Sequence, residues 1–181
     1  MQLLRKVAYS IILQAVITIL ILISNSLPGK AQSQEKSYAV LLFNFARGIQ
    51  WPQNNKDHFV IGILGYPPLA SELKEFIFQK QVWNKPIRIE ELSSPQEIKA
   101  CDILFIPFFK GKLLPEILEK LGNSSTLIVT NNSTLLKQGC GISFTLKEGK
   151  VQYEMNLSLI ETRGLRVSNS VRGMGLIVKS N

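Results

Sequence analysis

The chain holds one histidine, His58, and two cysteines, Cys101 and Cys140, in 181 residues. A single histidine supplies neither a metal set nor a triad, and its position at the start of an apolar run is that of a strand-start residue near solvent. The cysteines lack the C-x-x-C spacing of zinc or thiol-redox motifs. They are candidates for a disulfide closing a loop of about 40 residues, which would stabilise the fold by ~3–4 kcal/mol if unstrained. Two buried free thiols are the alternative, because spacing alone does not bring two Cα atoms within ~7 Å. Glu90 and Glu91 are adjacent, so on a strand they point to opposite faces and make no acid/base pair. Ser133 and Thr134 have no local base and suit a capping role. "GILG" lacks both phosphate-loop patterns, and the prolines after Gly65 remove amide donors that such a cradle needs. No catalytic constellation, metal set or cofactor motif emerges, and the expectation is a non-enzymatic protein without a cofactor.

The elements that would position these residues follow from hydrophobic period. Residues 35–50 place Tyr38, Leu41, Leu42, Phe45 and Ile49 on one helical face, with Val40 and Phe43 outside the stripe. The exit of this helix, "FNFARGIQWP", carries Phe43, Phe45, Ile49 and Trp51 within nine residues. Such a cluster suits a binding surface, since aromatics dominate interface energetics; an inward core face is the plainer reading. "HFVIGILG" and "CDILFIP" read as strands covered on both faces, and "STLIVTN" as a third strand. Residues 69–79 and 113–121 read as helices, the second stopped by Gly122. "KPIRIEEL" alternates as a strand, and residues 94–95 offer a cap and a first-turn proline. "STLLKQG" has the cap and terminal glycine of a short helix. "GISFTL" and "VQYEMNLS" form a hairpin turning near Glu148–Gly149. The tail after residue 158 suits one or two short helices. Alternating strand and helix followed by a hairpin predicts a single-domain α/β three-layer sandwich, Rossmann-like, with a mostly parallel sheet and a C-terminal antiparallel hairpin.

The N-terminus has the parts of a secretory signal: Arg5 and Lys6, an apolar run over residues 7–23, then small residues at Gly29 and Ala31. The expected division is a signal peptide at 1–31 and an α/β domain at 32–181. An uncleaved membrane anchor is the alternative, although Tyr9, Ser10 and Gln14 weaken a full span. The net charge of +8 falls to +5 on cleavage, because the removed piece contains Arg5, Lys6 and Lys30 and no acid. The remaining bases are scattered, which argues against a nucleic-acid partner. Export would place the cysteines where disulfides form.

In order and spacing these segments resemble the YfiR family of exported regulators. "YAVLLFNFARGIQWP" is similar to the family's opening helix with its Trp-Pro ending, and "FVIGILG" to its first strand. "QVWNKPIRIEEL" resembles a K-x-V-x-G-R-P-I-x-V pattern with Asn84-Lys85 replacing Gly-Arg, and "CDILFIP" a Cys-containing strand. The segment from "LIVTNNSTLLKQG" to "GLRVS" is similar to the closing block. The resemblance implies a periplasmic domain without catalytic activity that restrains an inner-membrane diguanylate cyclase by binding its periplasmic part. Release of that restraint would raise cyclic di-GMP and favour biofilm formation. It also implies an outer-membrane lipoprotein as a sequestering partner, a homodimer and disulfides. Three departures stand out. Gly48 replaces a usual Tyr or Phe. Ile61 lies near a position where some members carry a Cys that pairs with the one matching Cys101. Gly173 and Gly175 replace bulkier residues. The competing reading is a small-molecule sensor using the carboxyl ends of the strands, around Tyr66, Phe108 and Asn131.

Overall fold

A computed structural model describes Gln14, residues 28–52 and residues 56–178. Most of the expected signal, residues 1–31, lies outside the described residues. The chain divides into two units, Met1–Gln34 and Glu35–Asn181. Among the described residues no helix is long and apolar enough to cross a membrane.

Helix α1 (Pro28–Gly48) starts seven residues earlier than its apolar period suggests and ends in β1 (Ile49–Gln50). Then follow β2 (Phe59–Leu64), α2 (Pro67–Phe76), β3 (Gln81–Val82), β4 (Lys85–Leu92), β5 (Ile103–Ile106), α3 (Leu114–Leu121) and β6 (Leu127–Thr130). The chain closes with β7 (Ile142–Lys147), β8 (Lys150–Met155), α4 (Leu157–Thr162), β9 (Arg166–Val167), α5 (Asn169–Met174) and β10 (Leu176–Ile177). The main sheet has the order β10-β8-β7-β6-β5-β2-β4-β3. Neighbours from β4 through β7 are parallel, while β8 returns antiparallel to β7. The expected α/β architecture, mostly parallel sheet and terminal hairpin are all present.

Strand alternation builds the layers. Ile61, Ile63, Ile103, Phe105, Leu127 and Val129 pack in one core with residues of α1 and α2. The intervening Val60, Leu64, Leu104, Ile106 and Ile128 pack in a second core with Leu114, Ile117 and Leu121 of α3. Because side chains alternate along a strand, continuous apolar runs are required only where both faces are covered, as here. The β7–β8 turn sits at Glu148 (φ 52°) and Gly149 (φ 75°), both positive as a two-residue primed turn demands.

The expected short helices at residues 95 and 133 are 3-10 turns, Pro95–Glu97 and Ser133–Lys137. The second is capped by Asn132, whose Oδ1 accepts from the Thr134 amide at 3.2 Å, so the cap lies one residue before Ser133. The tail contains two helices and also two strands. One of these, β9, pairs antiparallel with β1 in a separate two-stranded sheet.

That small sheet accounts for Gly48. A Cβ there would lie 2.4 Å from Val171 Cγ2, and the Gly48 carbonyl accepts from the Ser168 amide at 3.0 Å. Helix α5 therefore occupies the space that an aromatic residue at position 48 would need. Gly48→Ala is expected to destabilise the chain by ~1–3 kcal/mol through overpacking, read as a lower chemical-denaturation midpoint; an unchanged midpoint would contradict this packing. Gly175 is equally confined, with an added Cβ 2.4 Å from the Tyr153 ring, whereas Gly173 faces open space.

Candidate partner-binding surface

The aromatic exit of α1 divides into inside and outside. Phe45 and Ile49 are completely buried and line the core, so a partner reaches neither directly. Trp51 is half-buried. Its ring meets Phe59 edge-to-face at 5.0 Å, and its Nε1 donates to the Asp102 carbonyl at 3.3 Å. Trp51 therefore ties the end of α1 to the amino edge of the sheet. Asp102 organises that edge: its carboxylate accepts from the Val60 amide (2.8 Å) and the Lys56 ammonium (2.9 Å). Its own amide donates to the Val60 carbonyl at 2.8 Å.

Phe43 differs from the other three. It is 8% exposed and forms part of a groove of about 520 Å³ shared with Arg47, Lys80, Gln81, Trp83 and Asn84. The Phe43 ring packs edge-on against Phe76 at 5.8 Å. The Arg47 guanidinium and the Lys80 ammonium lie 5.7 and 5.8 Å from its centroid, and Lys80 also sits 3.8 Å from the Phe76 centroid. Such cation–π contacts hold the two charges over the aromatic floor. Neither cation has a carboxylate within ion-pair distance among the described residues.

Trp83 forms the opposite lip. It is 62% exposed at the tip of the β3–β4 hairpin. Trp83 (φ 52°) and Asn84 (φ 61°) occupy the two central turn positions, both left-handed. Asn suits that conformation; a bulky residue costs about 1–2 kcal/mol there relative to glycine. A large aromatic placed in solvent on an unfavourable backbone marks a functional position more than a structural one. On the sequence the strand begins at Lys85, and residues 82–84 are assigned to no element. The signal that could have found it is a tryptophan occupying a primed-turn position that prefers Asn or Gly.

Residues 35–175 match the YfiR/HmsC-like family. The chain belongs to that family. YfiR/HmsC-like proteins are periplasmic and regulatory rather than catalytic. No curated protein matches the chain. Among solved structures the chain is similar to the ABC domain in complex with L-Trp from Streptococcus pneumonia, with 12% identity and a TM-score of 0.50. That match covers 66% of this chain and 55% of the other, so the chain spans about half of that structure's length, and the likeness concerns the fold alone.

In this YfiR/HmsC-like chain Cys101 and Cys140 are separate buried thiols rather than a bridge. Cys101 precedes β5 and Cys140 precedes β7, with β6 between them. Two strand spacings amount to about 9.5 Å, beyond the ~7 Å that a disulfide spans. Ile61 lies on the sheet face opposite Cys101; the residue under the Cys101 sulfur is Gly62, whose added Cβ would be 3.8 Å away. Burial pushes both thiols up to about 12. The native chain should resist alkylation at neutral pH, with the same melting temperature with and without reductant. The stability carried by the neutral thiols is complete below the ordinary thiol value of about 9 and is lost as pH rises toward 12. Rapid modification of either thiol in the folded chain at neutral pH would contradict this.

At the carboxyl edge, Asn131 Oδ1 accepts from the Phe108 amide at 2.7 Å, and the Tyr66 hydroxyl donates to Glu35. These contacts fasten the loops to one another. His58 stands partly exposed before β2.

Proposed function

We propose that this YfiR/HmsC-like chain is an exported regulator, non-catalytic, that binds and restrains the periplasmic part of a membrane-bound signalling protein, foremost a diguanylate cyclase. In this reading residues 1–31 direct export and residues 32–181 act. The observation that carries the reading is Trp83, exposed on a left-handed hairpin tip above a groove that holds Phe43 and two cations without acidic partners. An aromatic anchor beside fixed positive charge suits a protein surface with an apolar contact and carboxylates.

Restraint requires differential binding. The chain must hold the inactive arrangement of its partner more tightly than the active one, since equal affinity shifts nothing. A difference of ~3 kcal/mol moves the balance more than a hundredfold. Capture by an outer-membrane lipoprotein, or self-association into a homodimer, would relieve or tune the restraint by competing for the free chain.

The test is binding between the processed chain and the isolated exported domain of the membrane signalling protein encoded beside it. Saturable binding that weakens at least tenfold in Arg47→Glu/Lys80→Glu is expected. Binding untouched by that double charge reversal would remove the groove from the proposal, and no binding at all would remove the partner class.

A further inference from the structure

The carboxyl edge of the parallel sheet carries a second surface, remote from the groove. Phe108 and Phe109 follow β5 and are 61% and 51% exposed, although they are large and adjacent. Their rings stack edge-to-face at 5.3 Å, and Phe109 touches Tyr66 at 6.0 Å. Lys110 and Lys112 continue the same 3-10 turn, Phe108–Leu113. Strand β7 runs parallel to β6 and β5, so the β7–β8 turn projects from this edge too, bringing Lys147 and Lys150. None of these four lysines has an ion-pair partner among the described residues, and Glu148 is the acid that interrupts them.

A third observation is independent of these side chains. Glu35, the first residue of the second unit, is bonded to Tyr66 directly beyond β2, while Trp51 just past the far end of α1 reaches Asp102 before β5. Helix α1 therefore runs opposite to the parallel strands, and the chain enters the domain at the same edge as the exposed phenylalanines.

We infer that this edge docks on an anionic phospholipid bilayer, with Phe108 and Phe109 entering the interfacial region and the four lysines meeting headgroup phosphates. Paired aromatics flanked by long cationic side chains fit both requirements of a membrane surface: apolar area buried at the headgroup boundary and charge attracted to it. Lysine stems reach across the boundary while their ammonium groups stay hydrated. Docked this way, the domain would stand with its amino edge away from the lipid.

The experiment is vesicle co-sedimentation of the processed chain recovered from an expressing cell. Vesicles of phosphatidylcholine alone are compared with vesicles containing about one-third phosphatidylglycerol. Binding to the anionic vesicles alone, falling in high salt, is expected. Lys110→Glu/Lys112→Glu should weaken it at least about tenfold, and Phe108→Ser/Phe109→Ser should weaken it comparably. Lys99→Glu, at the opposite edge, should leave it unchanged. Circular dichroism confirms folding, and if the phenylalanine variant does not fold, the lysine variant decides alone. Equal binding to neutral vesicles, or equal loss in Lys99→Glu, would overturn the inference. So would retention on immobilised polyglutamate without vesicle binding, which would give the edge to an acidic protein instead.

Discussion

Trp83→Gly is expected to abolish most partner binding while leaving the fold as stable as before or more so. The two effects have separate causes. Trp83 buries little of itself, so its removal leaves no cavity, and glycine adopts its left-handed backbone without the steric penalty of a side chain. The folded state should gain about 1 kcal/mol, partly offset by the extra freedom glycine gives the unfolded chain. An exposed tryptophan that anchors an interface contributes ~2–4 kcal/mol to it, so affinity for the partner's exported domain should fall at least thirtyfold. Titration calorimetry and denaturant melts on the same preparation separate the two. A large loss of stability would mean that Trp83 serves the fold, and unchanged affinity would remove it from the interface.

The second large effect belongs to the fold. Asp102→Ala should destabilise the chain by ~3 kcal/mol or more. The carboxylate is buried and receives the Val60 amide and the Lys56 ammonium, so its loss leaves an unmatched buried donor and a partly buried cation. Breaking one side of such a pair costs far more than the pair contributes net. Lys56→Met should cost clearly less, because the lysine is about one-third exposed while the carboxylate keeps its backbone donor. Trp51 bonds the same residue through its carbonyl, so the exit of α1 should loosen together with β2. Urea denaturation of the two variants checks this order; equal losses would mean that the ion pair, not the backbone contact, holds the edge.

Much of this architecture was legible in the sequence for an identifiable reason. Strands β2, β5 and β6 are buried on both faces, which forces continuous apolar runs, and Gly149 suits the left-handed backbone of the hairpin turn, although Glu148 beside it does not. The helical period placed Phe45 and Ile49 on the inward stripe, as the structure has them; it left Phe43 outside, yet Phe43 is buried in the same core because Phe76 of α2 packs against it. What stayed hidden depends on distant neighbours. Strands β1, β3, β9 and β10 are two residues each, too short for any period, and exist because another segment pairs with them. The role of Gly48 is invisible without Val171. The separation of Cys101 from Cys140 depends on which strand lies between them. Trp83 was missed because its significance lies in a backbone angle that residue type alone does not announce.

The groove and the carboxyl edge are separate surfaces, the first proposed to meet a protein partner and the second a lipid surface. Restraint itself is tested most directly by the catalytic output of the partner. Cyclic di-GMP synthesis by membranes containing the full-length cyclase proposed as the partner should fall at least severalfold when the processed chain is added. Trp83→Gly chain should leave it near the unrestrained rate. Synthesis that is unaffected by saturating wild-type chain would contradict the proposed function.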